Sequence, residues 1–193
     1  MVTDELYNKY IEILKSRLGE KRFYHSLCVA GEAKRLAIKY GGDEEKCFLA
    51  GLLHDITKNT PEEEHLKIFK TFGIMLNDIE KNAFKLWHAM SGEAYLRFVL
   101  SLDDEEVLDA VRYHTTAKKD MSLTAKILYL ADFTSADRDY SDVDVIRDLV
   151  DKSLDEAMIY ALKYSIKDLV DLNRAIHPDT LDAYNEIILN GGK

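Results

Sequence analysis

The chain has 193 residues, 47% of them hydrophobic and 32% charged, with 9 Gly and only 2 Pro. That is enough apolar material for one sizeable core, with too few turn-forming residues for long loops or a turn-rich β fold. A formal net charge of -9 excludes a protein whose main task is to coat DNA or RNA, and an anionic ligand would have to be drawn in by local cations against the global field.

Helical periodicity runs from end to end. The first predicted helix covers residues 4–18 and the second residues 24–40, where Gly41-Gly42 closes it. Asp43 suits the cap of the third, over 43–57. Pro61 fits the first turn of the fourth, over 61–72, with Glu62, Glu63 and Glu64 near its positive end. Further helices are expected over 86–101, 105–114, 122–133 and 143–163. Asp103 and Ser122 are candidate caps, and a last helix follows Pro178. No stretch alternates as a strand does. The expected fold is therefore all-α, one domain over 1–193, with a core about 20–140 and a helical extension about 141–193. Cys28 and Cys47 lie on apolar stripes and read as buried reduced thiols rather than a disulfide. No leader and no apolar run of bilayer length is evident, so the expected location is cytoplasmic, with no membrane partner.

The pair His54-Asp55 carries the most information. It stands in Leu52-Leu53-His54-Asp55-Ile56-Thr57-Lys58, an apolar stretch in which a histidine and a carboxylate are expensive to bury unless something binds them. His25 faces Val29 and Leu36 along its helix. His54 follows Cys47, Ala50 and Gly51, and His114 follows Val107, Ala110 and Val111. His88 sits between Trp87 and Ala89, and Asp132 follows Ala125 and Leu128. One such histidine is ordinarily a packed core residue. Five such sites in one small helical domain point instead to a metal centre of imidazoles and carboxylates, which suits zinc, iron, manganese or nickel. The chemistry that fits is metal-dependent hydrolysis of a phosphorus–oxygen bond. His65, among Glu62, Glu63, Glu64 and Lys67, reads as a solvated surface histidine.

The order His25, His54-Asp55, Asp132 resembles the HD-domain superfamily of metal-dependent phosphohydrolases. Arg22-Phe23-Tyr24-His25-Ser26, Ala50-Gly51-Leu52-Leu53-His54-Asp55, Leu86-Trp87-His88-Ala89, Tyr113-His114-Thr115-Thr116 and Ala131-Asp132-Phe133 with Arg138 narrow the likeness to the YqeK-like group of symmetrical bis(5'-nucleosyl)-tetraphosphatases. Two segments depart from that group. Thr134-Ser135-Ala136-Asp137 stands where an Ile-Glu-Pro type stretch is usual, and Ser91-Gly92-Glu93 where apolar-Gly-Ala is usual.

The resemblance implies two metal ions, iron by expectation, with manganese or zinc compatible. His25, His54, Asp55 and Asp132 would hold the first ion, and His88 and His114 would complete a second site that shares Asp55. Asp55, His54 and Lys58 would be catalytic, with water made nucleophilic at the metal and attacking phosphorus in line. Arg22, Asp55, Ile56, Thr57, Lys58, His88, His114, Thr115, Arg138, His177 and Thr180 would contact the substrate. That substrate is implied to be P1,P4-bis(5'-adenosyl) tetraphosphate, cut to two ADP, and the assembly a homodimer. Other readings stand beside it: an HD enzyme acting on alarmones, deoxynucleotides or cyclic nucleotides, a sensor that binds nucleotide without turnover, or a purely structural helical domain.

Overall fold

The structure of the protein is a computed structural model, described over residues 4–190. Eleven α-helices follow one another among the described residues: α1 (Asp4–Arg17), α2 (Glu20–Tyr40), α3 (Glu44–Leu53), α4 (Glu62–Phe72), α5 (Asp78–Asn82), α6 (Trp87–Ala94), α7 (Glu105–Tyr113), α8 (Leu123–Thr134), α9 (Val143–Val150), α10 (Leu154–Asp171) and α11 (Pro178–Leu189). No strand occurs among them, as the periodicity predicted. No helix is long and apolar enough to cross a membrane among the described residues.

Local signals set the ends. Gly41 and Gly73 both adopt φ 71°, and each donates its N–H back to a carbonyl of the helix it closes, that of Ala37 and Phe69 respectively. Only glycine takes this left-handed conformation without cost. Asp43, Asp104, Ser122 and Ser153 accept N–H groups from the first turns of α3, α7, α8 and α10. The cap of α7 is thus Asp104, one residue beyond the expected Asp103.

Several boundaries differ from expectation, three of them for a visible local reason. The helix predicted over 143–163 is broken, because Ser153 starts a new N-terminus by accepting from the Glu156 amide. A short helix at residues 78–82 was not expected. It is nucleated by a reciprocal capping box between Asn77 and Glu80, a signal readable in sequence. The third helix stops at Leu53 rather than at residue 57. Beyond it Ile56 N–H, Lys58 N–H and Thr60 N–H each donate to a carbonyl three residues back, at 3.1, 2.8 and 3.0 Å. His54 and Asp55 therefore sit where a regular helix gives way to tight turns.

The central packing unit is α2, α3, α7 and α8, with α6 against α7 and α10 against α8, α9 and α11. Its core joins Val29, Ala33 and Leu36 of α2 to Leu49, Leu52 and Leu53 of α3, Leu108 and Val111 of α7, and Ile127, Leu128 and Leu130 of α8. A smaller cluster of Ile68, Phe69, Trp87, Met90 and Ala94 ties α4 to α6. Arg17 pins the turns after α3 from outside. It donates to Ile56 O at 3.1 Å and Thr60 Oγ1 at 3.2 Å, and stacks over the Tyr95 ring at 4.2 Å.

The crossing of α2 and α3 depends on Gly51. A Cβ there would lie 2.8 Å from Ala30 Cα and 3.0 Å from Ala30 N and Val29 O. These are backbone atoms that cannot swing aside. Gly51→Ala should therefore lower unfolding free energy by about 1–3 kcal/mol through overpacking, read as a lower urea midpoint. An unchanged midpoint would show that the two helices can separate freely.

Candidate active site

The tight turns after α3 present His54 and Asp55 to four other segments. His25 arrives from α2, His88 from α6, His114 from the end of α7 and Asp132 from the last turn of α8. The expected constellation thus converges on one point, and its side chains are almost dry. Asp55 is 2% exposed, His54 0%, and Asp132, at 21%, is the most open.

The imidazoles are fixed from behind. His54 Nδ1 donates to Gly51 O and His114 Nδ1 to Val111 O, both at 2.7 Å. Each therefore turns a bare Nε2 toward the centre. His25 Nδ1 meets Asp137 Oδ2 at 2.8 Å while its Nε2 faces Asp132 Oδ1 at 2.9 Å. Asp137 is held in turn by the Ser135 hydroxyl at 2.8 Å. His88 Nε2 lies 3.0 Å from His114 Nε2 and 3.1 Å from Asp55 Oδ1. His54 Nε2 lies 3.3 Å from Asp55 Oδ2 and 4.0 Å from Asp132 Oδ1.

Three cations close the ring. Arg22 Nη1 donates to Asp55 Oδ2 at 2.8 Å, Lys58 Nζ stands 3.6 Å from Asp55 Oδ1, and Arg138 grips Asp132 through both its carboxylate and its main-chain carbonyl.

Burial pushes the Asp55 carboxyl up, but His54, His88 and Lys58 outweigh it and hold it well below the usual range. Asp132 is likewise depressed against its burial, by the His25 hydrogen bond and by Arg138. Burial depresses His88 and His114, the latter with added repulsion from His88 and His54. Burial also pushes the His54 pKa down, but Asp55 and Asp132 outweigh it and leave it raised. Asp55 and Asp132 are thus ionised and face the lone pairs of His88 and His114, which burial holds toward their neutral form.

That is a set of acceptors looking at one another. His54 Nε2 and Asp55 Oδ1 are buried with no hydrogen-bond partner, a costly state in a dry site. Three overlapping groups have ligating atoms within 4.8 Å of one another: His25, His54 and Asp55; His54, His114 and Asp132; and Asp55, His88 and His114. A divalent cation satisfies every one of these lone pairs, so the residues fit a metal.

Two depressions flank the centre. One is a cleft of about 480 Å³, walled by Ile79, Phe84, Leu86 and Leu169 and by Thr115, Thr116, His177 and Thr180. In it, His177 caps α11, and the Thr180 hydroxyl donates to Thr116 O at 2.7 Å. The other is a groove of about 570 Å³ that includes Arg22, His25 and Arg138. Ile56 and Thr57 lie elsewhere. Ile56 is a core side chain, and the Thr57 hydroxyl is committed to His88 O at 2.8 Å and Ser91 at 2.9 Å.

Residues 22–137 match the HD domain family. The chain belongs to the HD-domain family. A curated relative from Bacillus subtilis (strain 168), named symmetrical bis(5'-nucleosyl)-tetraphosphatase, is 33% identical over 91% of this chain and 94% of its own length. A relative of the same name from Halalkalibacterium halodurans is 35% identical over 94% and 96%. The 1.50 Å crystal structure described as a "predicted HD superfamily hydrolase involved in NAD metabolism", from Clostridium acetobutylicum, agrees at a TM-score of 0.92. It is 37% identical and covers 95% of this chain and 97% of that one. The expectations of an all-α fold and an HD-type hydrolase are borne out.

This HD hydrolase corrects two sequence expectations. Cys47 is buried, but Cys28 is half-buried. His65 is not a surface residue: it is 1% exposed, packed near Phe69, Phe84 and Trp87, with Nδ1 2.8 Å from Ser91 Oγ. The acidic run around it misled, since His65 occupies the inner face of α4. In the sequence Asp137 stands out only as part of a departing segment, and the fold brings it to His25. Its position just before Arg138, beyond the end of α8, was the available signal.

Burial lowers the His65 pKa from 6.5 to about 4. An unfolded chain therefore takes up a proton at this site before the folded one does, and His65 costs stability as pH falls from about 6.5 to 4. His65→Gln should show a flatter loss of unfolding free energy than the parent across that window, measured by denaturant titration. Parallel profiles would rule out a buried neutral His65.

Proposed function

We propose that the protein hydrolyses P1,P4-bis(5'-adenosyl) tetraphosphate symmetrically to two ADP. The observation that carries this reading is the pair of orphaned acceptors, His54 Nε2 and Asp55 Oδ1, inside a dry ring of imidazoles and carboxylates. The names of the curated relatives supply the substrate class.

His25, His54, Asp55 and Asp132 would hold a first ion, and His88 and His114, with Asp55 shared, a second. Iron is the preferred identity. When bound, such ions polarise the phosphoryl group and activate water at neutral pH.

The chain's own residues supply the rest. Gly51 O, Val111 O and Asp137 hold three imidazoles in one tautomer each, which keeps Nε2 free as a ligand. Arg22, Lys58 and Arg138 offset the charge of the phosphate chain in a protein whose overall charge repels it. The water oxygen would bond to phosphorus and give up a proton to solvent, while the bridging P–O bond breaks and its electron pair leaves on the departing diphosphate. Lys58, between Asp55 and His88, is suited to balance that developing charge. The Thr115 hydroxyl borders the cleft and can donate to a phosphate oxygen, and His177 and Thr180 line the wall available to a nucleoside.

Incubation of anaerobically purified protein with a panel of nucleotides, followed by chromatography, tests the reading. Two ADP as the sole products from the dinucleoside tetraphosphate are expected. Alarmones, deoxynucleotides or cyclic nucleotides as the better substrates would overturn it.

Asp55→Ala should strip most metal and lower kcat by at least about 10²–10³-fold. His114→Ala should spare one ion more than the other. Metal analysis that finds both variants fully loaded would refute the ligand assignment.

Arg138→Ala should cut kcat/KM by about 10- to 100-fold, chiefly through KM, as loss of charge-assisted bonds predicts. Unchanged constants would remove Arg138 from the substrate site.

Asp137→Asn preserves the shape beside His25 and removes the charge. Metal affinity should fall by about tenfold or more, as for other outer carboxylates behind metal-bound imidazoles. Competition with a chelator reads this without any assay of activity.

A further inference from the structure

The two depressions that flank the centre are unlike each other. The cleft carries Ile79, Phe84, Leu86 and Leu169 in its walls, with Lys85 and Arg174 among its polar lining. It also holds the Thr116 hydroxyl, which is buried without a hydrogen-bond partner. An apolar slot with a few directed polar groups is what a nucleoside requires. The groove has no aliphatic or aromatic hydrocarbon side chain in its lining. Its cations are Lys21, Arg22 and Arg138, and its acids are Glu20 and Asp137. Asp137 is already engaged by His25 and Ser135. Asn59 is spent on the Gly19 amide at 3.1 Å.

The two depressions approach a row of imidazoles at different members, the groove at His25 and the cleft through Thr115 beside His114. His25, in the groove wall, lies 5.3 Å from His54 between ring centroids, and His54 lies 5.0 Å from His114. His114 is followed directly by Thr115 of the cleft wall. A polyphosphate laid along this row has one end in a largely apolar slot and the other in a groove lined by charged and polar groups, Arg22 and Arg138 among them. Arg22 and Arg138 each carry five N–H donors and spend only part of them on Asp55 and Asp132.

We propose that recognition is one-sided: the cleft binds one nucleoside, and the groove binds the far diphosphate without reading the group attached to it. This rests on the hydrolase reading above and deepens it. The substrate class then becomes any nucleoside 5'-tetraphosphate whose near end carries a nucleoside, with or without a second nucleoside at the far end. For adenosine 5'-tetraphosphate the reaction balances as one water consumed, the central P–O–P bridge broken, and ADP and pyrophosphate released. The second nucleoside of a symmetrical dinucleotide projects from the open groove and contributes little to binding.

The test compares three substrates on the wild-type, metal-loaded protein: bis(5'-adenosyl) tetraphosphate, adenosine 5'-tetraphosphate and inorganic tetraphosphate. The expected result is that the first two have kcat/KM values within about tenfold of each other, while inorganic tetraphosphate falls by about 100-fold or more for lack of the cleft contacts. The mononucleoside compound should yield ADP and pyrophosphate. A mononucleoside substrate worse than the dinucleotide by more than tenfold would show that the groove reads a nucleoside. Release of ATP and phosphate from it would show that the groove does not set the register. Either result overturns the one-sided model while leaving the hydrolase reading intact. Failure to cut the dinucleotide at all removes both.

Discussion

A carboxylate taken almost wholly out of water governs this protein. Asp55 stands among His54, His88, Lys58 and Arg22, and one of its oxygens has no hydrogen-bond partner. An isolated buried carboxylate would protonate rather than persist. Here the surrounding imidazoles and cations keep it ionised, and its free oxygen is left pointing at other acceptors. A divalent cation placed among these groups would resolve the conflict. That single constraint explains why five segments distant in sequence end at the same place.

Holding the conflict requires stiffness, and the structure supplies it behind each ligand. The carbonyls of Gly51 and Val111 fix two rings, and Asp137 fixes a third. The Thr57 hydroxyl ties the turn after Asp55 to the main chain of His88 and to Ser91, which in turn meets the buried His65. Arg17 closes the same turn from outside. The ligands cannot relax apart to rehydrate, because their supports belong to the packed core. Ser91 and the Ser135–Asp137 stretch fall within these supports: Ser91 holds Thr57 and His65, and Asp137, held by Ser135, reaches His25.

Electrostatics divide the labour by distance. The whole chain is acidic, with a net charge of -9, so long-range attraction for a polyphosphate is absent. Attraction is local and short-ranged, from Arg22, Lys58 and Arg138 beside the centre. Such cations act most strongly where water is excluded. An apolar cleft and an open polar groove lie beside the centre, and the proposed one-sided recognition would give the two ends of a substrate different physical origins of binding.

Much of this was legible before the fold was known. Periodicity, glycine stops and Asp or Ser caps act over a few residues, so the helices could be read locally. The oddity of His54-Asp55 in an apolar stretch exposed the centre for the same reason, because burial of a charged pair is visible in its immediate neighbours. The short helix at residues 78–82 and the break at Ser153 had capping signals that a period of 3.6 does not reveal. What the amino-acid order could not decide was anything set by one segment against another. Whether His65 faced water depended on which side of α4 packed on Trp87. The attachment of Asp137 to His25 joins residues on α2 and beyond α8. The unlike characters of cleft and groove arise where helices from both halves of the chain meet. The sequence alone determined the candidate ligands and most of the helices that carry them, because these follow from local chemistry. Tertiary structure alone decided how those ligands are supported and what surrounds them, because packing brings together groups that no spacing rule connects.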